Sequence, residues 1–327
     1  MKSIQHLMSA TAIAASLAIC GPAAAQDALT DVSIVVFGPP SLGAFLPPII
    51  ESQNFDEAHG LSITFEQRTP DAYAAQFNSG EFKVGGSAAL LTVGLAEARG
   101  VEATYLFNLF DYWGAVVTTR DDVQSLGDLA GKDLAAATGT TNYQMFRWLA
   151  AQQGVDLSSV TAVNTAPPGL VGYAMADRAA AVQLWEPAFT SLSAQNDAIR
   201  SIDLNIKGAW SEFAGSEKIP YLGVAAHRDW VAENPEAVEA LYAAYSDAAK
   251  FVMENPEEAA AIIAGDGTDD VRKNYTTLIK QNDRLGLNVA LAADMQEEIR
   301  SVYKVGVELD YLPAMPTDAT IYGASGE

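Results

Sequence analysis

Thr138, Gly139, Thr140 and Thr141 follow a short apolar run at 134–137 and lead into a helical pattern carrying Tyr143, Phe146, Trp148 and Leu149. A strand ending in small hydroxyl residues at a helix start presents free backbone N–H groups and the positive end of the helix dipole. That corner suits an anionic or strongly polar group of a small molecule. It equally suits plain N-capping, in which Thr140 or Thr141 satisfies its own helix. Trp185-Glu186-Pro187 is the other chemical feature. There an Ala/Val-rich run ends in a flat aromatic wall, over which a cation could lie, followed by a carboxylate that could meet an ammonium or ring N–H. A core tryptophan and a solvated loop charge are the ordinary alternatives.

Those residues gain weight from the elements that must hold them. In open α/β sheets, ligands sit outside the carboxyl ends of the strands. Here the ends carry Gly38, Pro39, Pro40 and Ser41; Gly86, Ser87 and Ala88; Tyr112 and Trp113; Gly139, Thr140 and Thr141; and Trp185 and Glu186. The candidate ligand-binding set is Ser41, Ser87, Ala88, Trp113, Gly139, Thr140, Thr141, Trp185 and Glu186. Arg147 and Arg178 fall in helical patterns, where solvated faces are the default.

Enzyme signatures are sparse. His59 and His227 lie far apart, no HExxH or CxxC spacing occurs, and there is neither a Gly-x-Ser-x-Gly elbow nor a phosphate loop. No catalytic residue, metal site or cofactor is expected. Carboxylates abound, yet nothing singles out a hydrolytic pair.

Strand-like and helical runs alternate along the chain, which predicts βα units and largely parallel sheets. Strands are predicted at 32–37, 61–65, 83–87, 103–109 and 115–118, then at 134–137, 160–163, 180–185, 198–203 and 221–226. Long helical stretches follow at 234–264 and 269–303. A chain that leaves one α/β unit and returns to it predicts an inserted second domain. Domain I covers 26–119 and 223–327, and domain II covers 120–222. Crossings at 117–120 and 219–223 form a two-strand hinge, the build of a clamshell that closes on a ligand.

The amino-terminal residues read as an export signal at 1–25. Lys2 precedes an apolar segment at about 10–19, and Ala23 and Ala25 occupy the small-residue positions before cleavage. The segment is too short for a membrane span, and lipid attachment at Cys20 is disfavoured by Ile19 before it. Cleavage would remove the single cysteine, leaving no disulfide or thiol chemistry. It would also remove Lys2 and no acidic residue, taking the formal charge from −22 to −23. So acidic a surface argues against nucleic acid and anionic membranes as partners, and no later apolar run inserts the mature chain into a bilayer. With 49% hydrophobic and 18% charged residues, the composition is globular.

The chain resembles bacterial periplasmic solute-binding proteins of the nitrate/sulfonate/taurine type, which include binders of thiamine-pyrimidine precursors. The residues that carry the likeness are Phe77-Asn78-Ser79-Gly80-Glu81-Phe82-Lys83-Val84-Gly85 and Ser125-Leu126-Gly127-Asp128-Leu129-Ala130-Gly131-Lys132. With them go the hydroxyl-rich start Gly139-Thr140-Thr141 and the corner Trp185-Glu186-Pro187. The resemblance implies a type-II periplasmic binding fold, two α/β domains on a two-strand hinge. It implies a monomeric periplasmic component that captures a small organic solute, such as a sulfonate or taurine-like zwitterion, and delivers it to an ABC permease and its ATPase. It also implies ligand contact by Ser41, Ser87, Ala88, Thr140, Thr141, Trp185 and Glu186, with Glu186 taking any positive end. Asn142 stands where the taurine branch tends to have histidine. A thiamine-pyrimidine precursor or other heteroaromatic is the alternative ligand, and a periplasmic enzyme on the same fold the alternative role. The cysteine-rich motif of the pyrimidine-synthase relatives is missing.

Overall fold

The computed structural model describes residues 29–324; the export signal and Cys20 lie outside the described residues. In chain order the strands are β1 (Thr30–Phe37), β2 (Leu61–Arg68), β3 (Val84–Ala89), β4 (Ala103–Asp111), β5 (Ala115–Thr118), β6 (Asp133–Ala136), β7 (Thr161–Asn164), β8 (Ala181–Leu184), β9 (Arg200–Ile202), β10 (Pro220–His227) and β11 (Leu287–Leu291). They form two sheets. One has six strands in the order β11-β4-β10-β3-β1-β2, the other five in the order β7-β6-β8-β5-β9.

The sheets share one plan. In the first, β1 runs parallel to β2 and β3, while β10 lies antiparallel between β3 and β4. In the second, β6 runs parallel to β7 and β8, while β5 lies antiparallel between β8 and β9. The interior reversed strand of each sheet, β10 or β5, is the one the chain enters after crossing from the other lobe, and in the first sheet the edge strand β11 is reversed as well. Strands β4 and β10 are buried almost end to end, as their apolar runs require of strands covered on both faces.

Both lobes bury aromatic side chains, Phe146, Trp148 and Trp210 among them in the second. Around the first sheet the buried set is aromatic, with Phe45, Tyr105, Phe107, Phe110, Tyr245 and Tyr303 all at 1% exposure or less. The second sheet has its own small cluster of Ala115, Ala135, Val182, Leu184 and Leu192. Its strands are only three or four residues long.

Two expectations are corrected. The expected crossing at 117–120 lies elsewhere, because Val117 and Thr118 belong to β5 and pair with Val182, Ser201 and Arg200 inside the second sheet. The chain crosses at Tyr112–Gly114 instead, and the Tyr112 N–H donates to the Ile219 carbonyl at 2.7 Å, tying the outgoing and returning segments together. The expected helix at 269–303 is broken. Helix Asp269–Lys280 and the short turn Asn282–Leu285 stop at Gly286, which takes φ +68°. Only a residue without a Cβ adopts that left-handed conformation readily. The chain then enters β11 before helix Gln296–Glu308.

Candidate functional site

The two lobes meet where the residues after β6 and β8 touch Tyr221, Arg284 and Tyr311 of the first lobe. At the end of β1, Ser41 caps the helical turn Leu42–Ala44 by accepting the Gly43 N–H at 3.2 Å. Ser87 and Ala88 do not lie beyond the strand end, as expected. Both lie inside β3, at 0% and 2% exposure, and the Ser87 hydroxyl accepts the Phe37 N–H at 2.9 Å. The strand runs on because its neighbours continue to pair with it, Val35 with Gly85 and Gly223 with Ala88. These two residues are sheet interior, which corrects their place in the candidate set.

At the end of β6 the capping reading holds for Thr140. Its hydroxyl accepts the Tyr143 N–H at 3.2 Å and donates to the Ala137 carbonyl at 2.8 Å, starting helix Thr141–Gln152. Gly139 is exposed, and its carbonyl accepts the Tyr311 hydroxyl of the other lobe at 3.4 Å. Thr141 differs. It is 2% exposed, and its hydroxyl has no hydrogen-bond partner among the described residues.

Thr141 adjoins a buried polar floor that the strand-end reasoning did not find. Asn142 Nδ2 donates to the Tyr221 hydroxyl at 3.2 Å, and Gln183 Nε2 donates to Asn142 Oδ1 at 2.9 Å. Tyr112 packs edge-on against Tyr221, with ring centroids 5.9 Å apart. Gly114 leaves room for the group: a Cβ there would sit 2.5 Å from the Tyr112 hydroxyl and 3.3 Å from Asn142 Oδ1. The Tyr112 hydroxyl and Gln183 Oε1, like the Thr141 hydroxyl, are buried without partners. Burial pushes the Tyr112 and Tyr221 phenols above their usual range, so both remain O–H donors.

Glu186 behaves contrary to expectation. Its side chain is 1% exposed, and its positive partner is the protein's own Arg284, from the opposite lobe. Arg284 Nε donates to Glu186 Oε1 at 2.9 Å, and Nη2 donates to the same oxygen. Thr190 donates its hydroxyl to Oε1 and its N–H to Oε2, both at 3.0 Å. Glu186 is therefore already paired, with Arg284 in the place expected for a ligand's positive end. Arg284 lies 98 residues away in an unremarkable turn, and nothing in the local sequence marks it.

Beside this anchor a cavity of about 620 Å³ opens between the β9 and β11 flanks, lined among others by Asp111, Trp113, Ile202, Lys207, Arg284 and Asn288. Of the candidate residues it takes in Trp113 alone. Trp185 is half-buried against the small cluster of the second sheet. Arg147 is tied to Gln144 at 2.8 Å and Arg178 lies over Tyr173; neither lines the cavity. Asp111 is held by Asn108 Nδ2 at 3.1 Å and Asn288 Nδ2 at 3.0 Å. Burial raises its carboxyl to about 7, with the two amides and Lys218 pulling the other way. Among the described residues, no group of three or more His, Cys, Asp or Glu could hold a metal ion. No helix among them is long and apolar enough to cross a membrane.

Residues 51–259 match the family model described as NMT1/THI5 like. Relatives from Brucella abortus (strain 2308) and Brucella suis biovar 1 (strain 1330), provisionally named binding proteins, are 26% identical over 148 residues. That alignment covers 45% of this chain and 44% of theirs, so the chain spans less than half the length of the curated relatives it matches. The periplasmic aliphatic sulphonate binding protein of Escherichia coli superposes with a TM-score of 0.70 at 14% identity, covering 88% of this chain and 95% of that one. The periplasmic nitrate-binding protein of Synechocystis PCC 6803 superposes with a TM-score of 0.65 at 14% identity, covering 89% and 84%. At these identities the likeness shows a shared fold, that of the two-lobed periplasmic binding proteins.

Proposed function

The chain belongs to the NMT1/THI5-like family, and from that premise we propose that it is the solute-binding component of an ABC importer, capturing a small organic molecule by closure of its two lobes. One observation carries this reading. Two similarly built sheets are joined by a crossing of two hydrogen-bonded segments, Tyr112–Gly114 and Ile219, and Asn142 and Glu186 of one lobe meet Tyr221 and Arg284 of the other. Lobes joined in this way rotate on their connections more readily than they unfold. The solute lies against the Thr141 helix start, where N–H groups and an unpartnered hydroxyl favour an acceptor-rich or anionic group. The Tyr112 hydroxyl adds a donor, Trp113 and Trp185 supply apolar walls, and Ser41 and Gly139 border the opening. The working place is the periplasm, the chain acts as a monomer, and the partners are a permease and its ATPase.

The test is ligand capture. The mature protein is purified, whatever co-purifies is identified by native mass spectrometry, and melting is followed with ethanesulfonate, taurine, nitrate, benzoate and an aminopyrimidine. A bound solute at a hundredfold excess over Kd stabilises by about 2.7 kcal/mol. A chain that carries nothing and is stabilised by none of the five would end this reading. A second role, as an enzyme on the same fold, draws on Asp111, a buried carboxyl near 7 beside the cavity, which would suit a general base. Solute recovered unchanged after long incubation rejects it.

A further inference from the structure

Glu186, Trp113 and Phe189 have the composition of a receptor for an organic cation: a buried carboxylate beside two aromatic rings. The rings stand 5.1 Å apart between centroids, tilted by 58°. The guanidinium of Arg284 fills the space, its carbon 4.6 Å from the Phe189 centroid and 5.3 Å from that of Trp113. Its nitrogens reach Glu186, Thr190 at 2.6 Å and Gln281 at 2.7 Å. Glu186 Oε1 then accepts from two guanidinium nitrogens and one hydroxyl, and Oε2 from a backbone N–H. Oε1 is thereby filled and its charge neutralised, and the carboxylate is buried beneath Arg284.

We propose that Glu186, Trp113 and Phe189 form a cation subsite that the protein fills with its own Arg284, and that Arg284 thereby bars organic cations from this end of the inter-lobe space. The cage is supplied by the second lobe and the crossing segment, its occupant by the first. The guanidinium is reachable from outside, since the Arg284 side chain keeps 26% exposure and lines the 620 Å³ cavity. For solute choice the consequence rests on the proposed function. A solute meets a neutralised carboxylate here, so the class accepted is neutral or anionic at this end, and an ammonium or guanidinium group finds no counter-charge. A zwitterion such as taurine then gains nothing from its amine over the matching alkanesulfonate.

Emptying and refilling the cage tests the assignment. Melting of the full mature chain is followed with methylguanidinium chloride at millimolar concentrations against sodium chloride of equal ionic strength. The wild-type protein should not respond, because the cage is full. Arg284→Ala should melt lower and be raised by methylguanidinium, saturably and by about 3 °C. Adding Glu186→Gln to that variant should abolish the rise. A purely structural ion pair with no room for a free cation would leave Arg284→Ala unresponsive, and that result overturns the proposal. So does a wild-type response equal to the variant's, which would show that Arg284 does not exclude cations. Should Arg284→Ala not fold, Arg284→Met keeps the aliphatic stem between the rings and serves the same comparison. The probe is independent of the transported solute. Failure of every solute in the panel, with methylguanidinium rescue intact, would therefore count against the importer reading alone.

Discussion

The inter-lobe contact has two ends of opposite character. At the Arg284 end every strong polar group is matched: Glu186, Thr190, Gln281 and the guanidinium satisfy one another between two aromatic rings. At the Tyr112 end, three buried polar atoms, on Tyr112, Thr141 and Gln183, have no partner. A buried donor or acceptor left unmatched costs about 1–3 kcal/mol, whereas a matched buried charge pair offsets its own desolvation and becomes strongly destabilising when one partner is removed. The first end therefore holds the lobes together, and the second gains from anything that brings hydrogen-bonding partners, water or solute. Under the proposed function, one latched side and one unsatisfied side give the lobes a reason to close more firmly when a polar solute arrives.

The largest effect should come from breaking the matched end on one side only. Arg284→Ala leaves the Glu186 charge buried and uncompensated, and the expected loss is about 3–5 kcal/mol in urea unfolding. Replacing both partners, as Arg284→Met with Glu186→Gln, should recover most of it, because no charge is then stranded. Losses that simply add would show that the two residues are not coupled and would remove the contrast between the ends.

Next in size is a pH effect from Asp111, beside the unsatisfied end. Its carboxyl is raised from 3.8 to about 7, so between those values the folded chain holds a proton that the unfolded chain has released. Stability should fall as pH rises through that window, by at most about 1.4 kcal/mol per pH unit, and level off above 7. Asp111→Asn should remove this component. Identical pH profiles for the two proteins would mean that water from the cavity relaxes the burial.

Much of the scaffold is visible in local pattern. The run at 32–37 is mostly β-branched, those at 103–109 and 221–226 are largely apolar, and they become β1, β4 and β10 because sheets buried on both faces need continuous apolar strands. Leu287–Leu291 hides in an Ala- and Leu-rich stretch that helices accept equally, and only Gly286 marks the stop. The crossing lies earlier than the pattern predicts because Ala115–Thr118 is visibly a strand while its sequence does not say which sheet it joins. The strand predicted at 83–87 runs on to Ala89 because β10 pairs with Ala88 and Ala89, which no local pattern reveals. Within the site, the Thr140 cap is local and legible. The Glu186–Arg284 pair and the Asn142–Tyr221 contact join residues 98 and 79 positions apart, and single-chain pattern carries no signal for either.

Gly114→Ala should act on the unsatisfied end by crowding it. The new methyl would fall 2.5 Å from the Tyr112 hydroxyl, too close for any real contact, and the phenol must move. Overpacking of this kind costs about 1–3 kcal/mol, read as a lower urea midpoint. An unchanged midpoint would mean that the floor is already loose.

The smallest effect on stability is also the sharpest test of why the floor is unmatched. Tyr112→Phe deletes a hydroxyl that satisfies nothing within the protein, so stability should stay level or rise by up to about 1 kcal/mol. Solute binding should respond in the opposite direction. If that hydroxyl donates to the solute, the apparent Kd of whichever molecule stabilises the wild type should weaken about five- to tenfold, the worth of one hydrogen bond. A loss of stability without solute would mean that the phenol is matched in solution, and the asymmetry between the two ends would fall with it. Equal affinity in both proteins would leave the dry floor intact while moving the solute away from Tyr112, towards the Thr141 helix start.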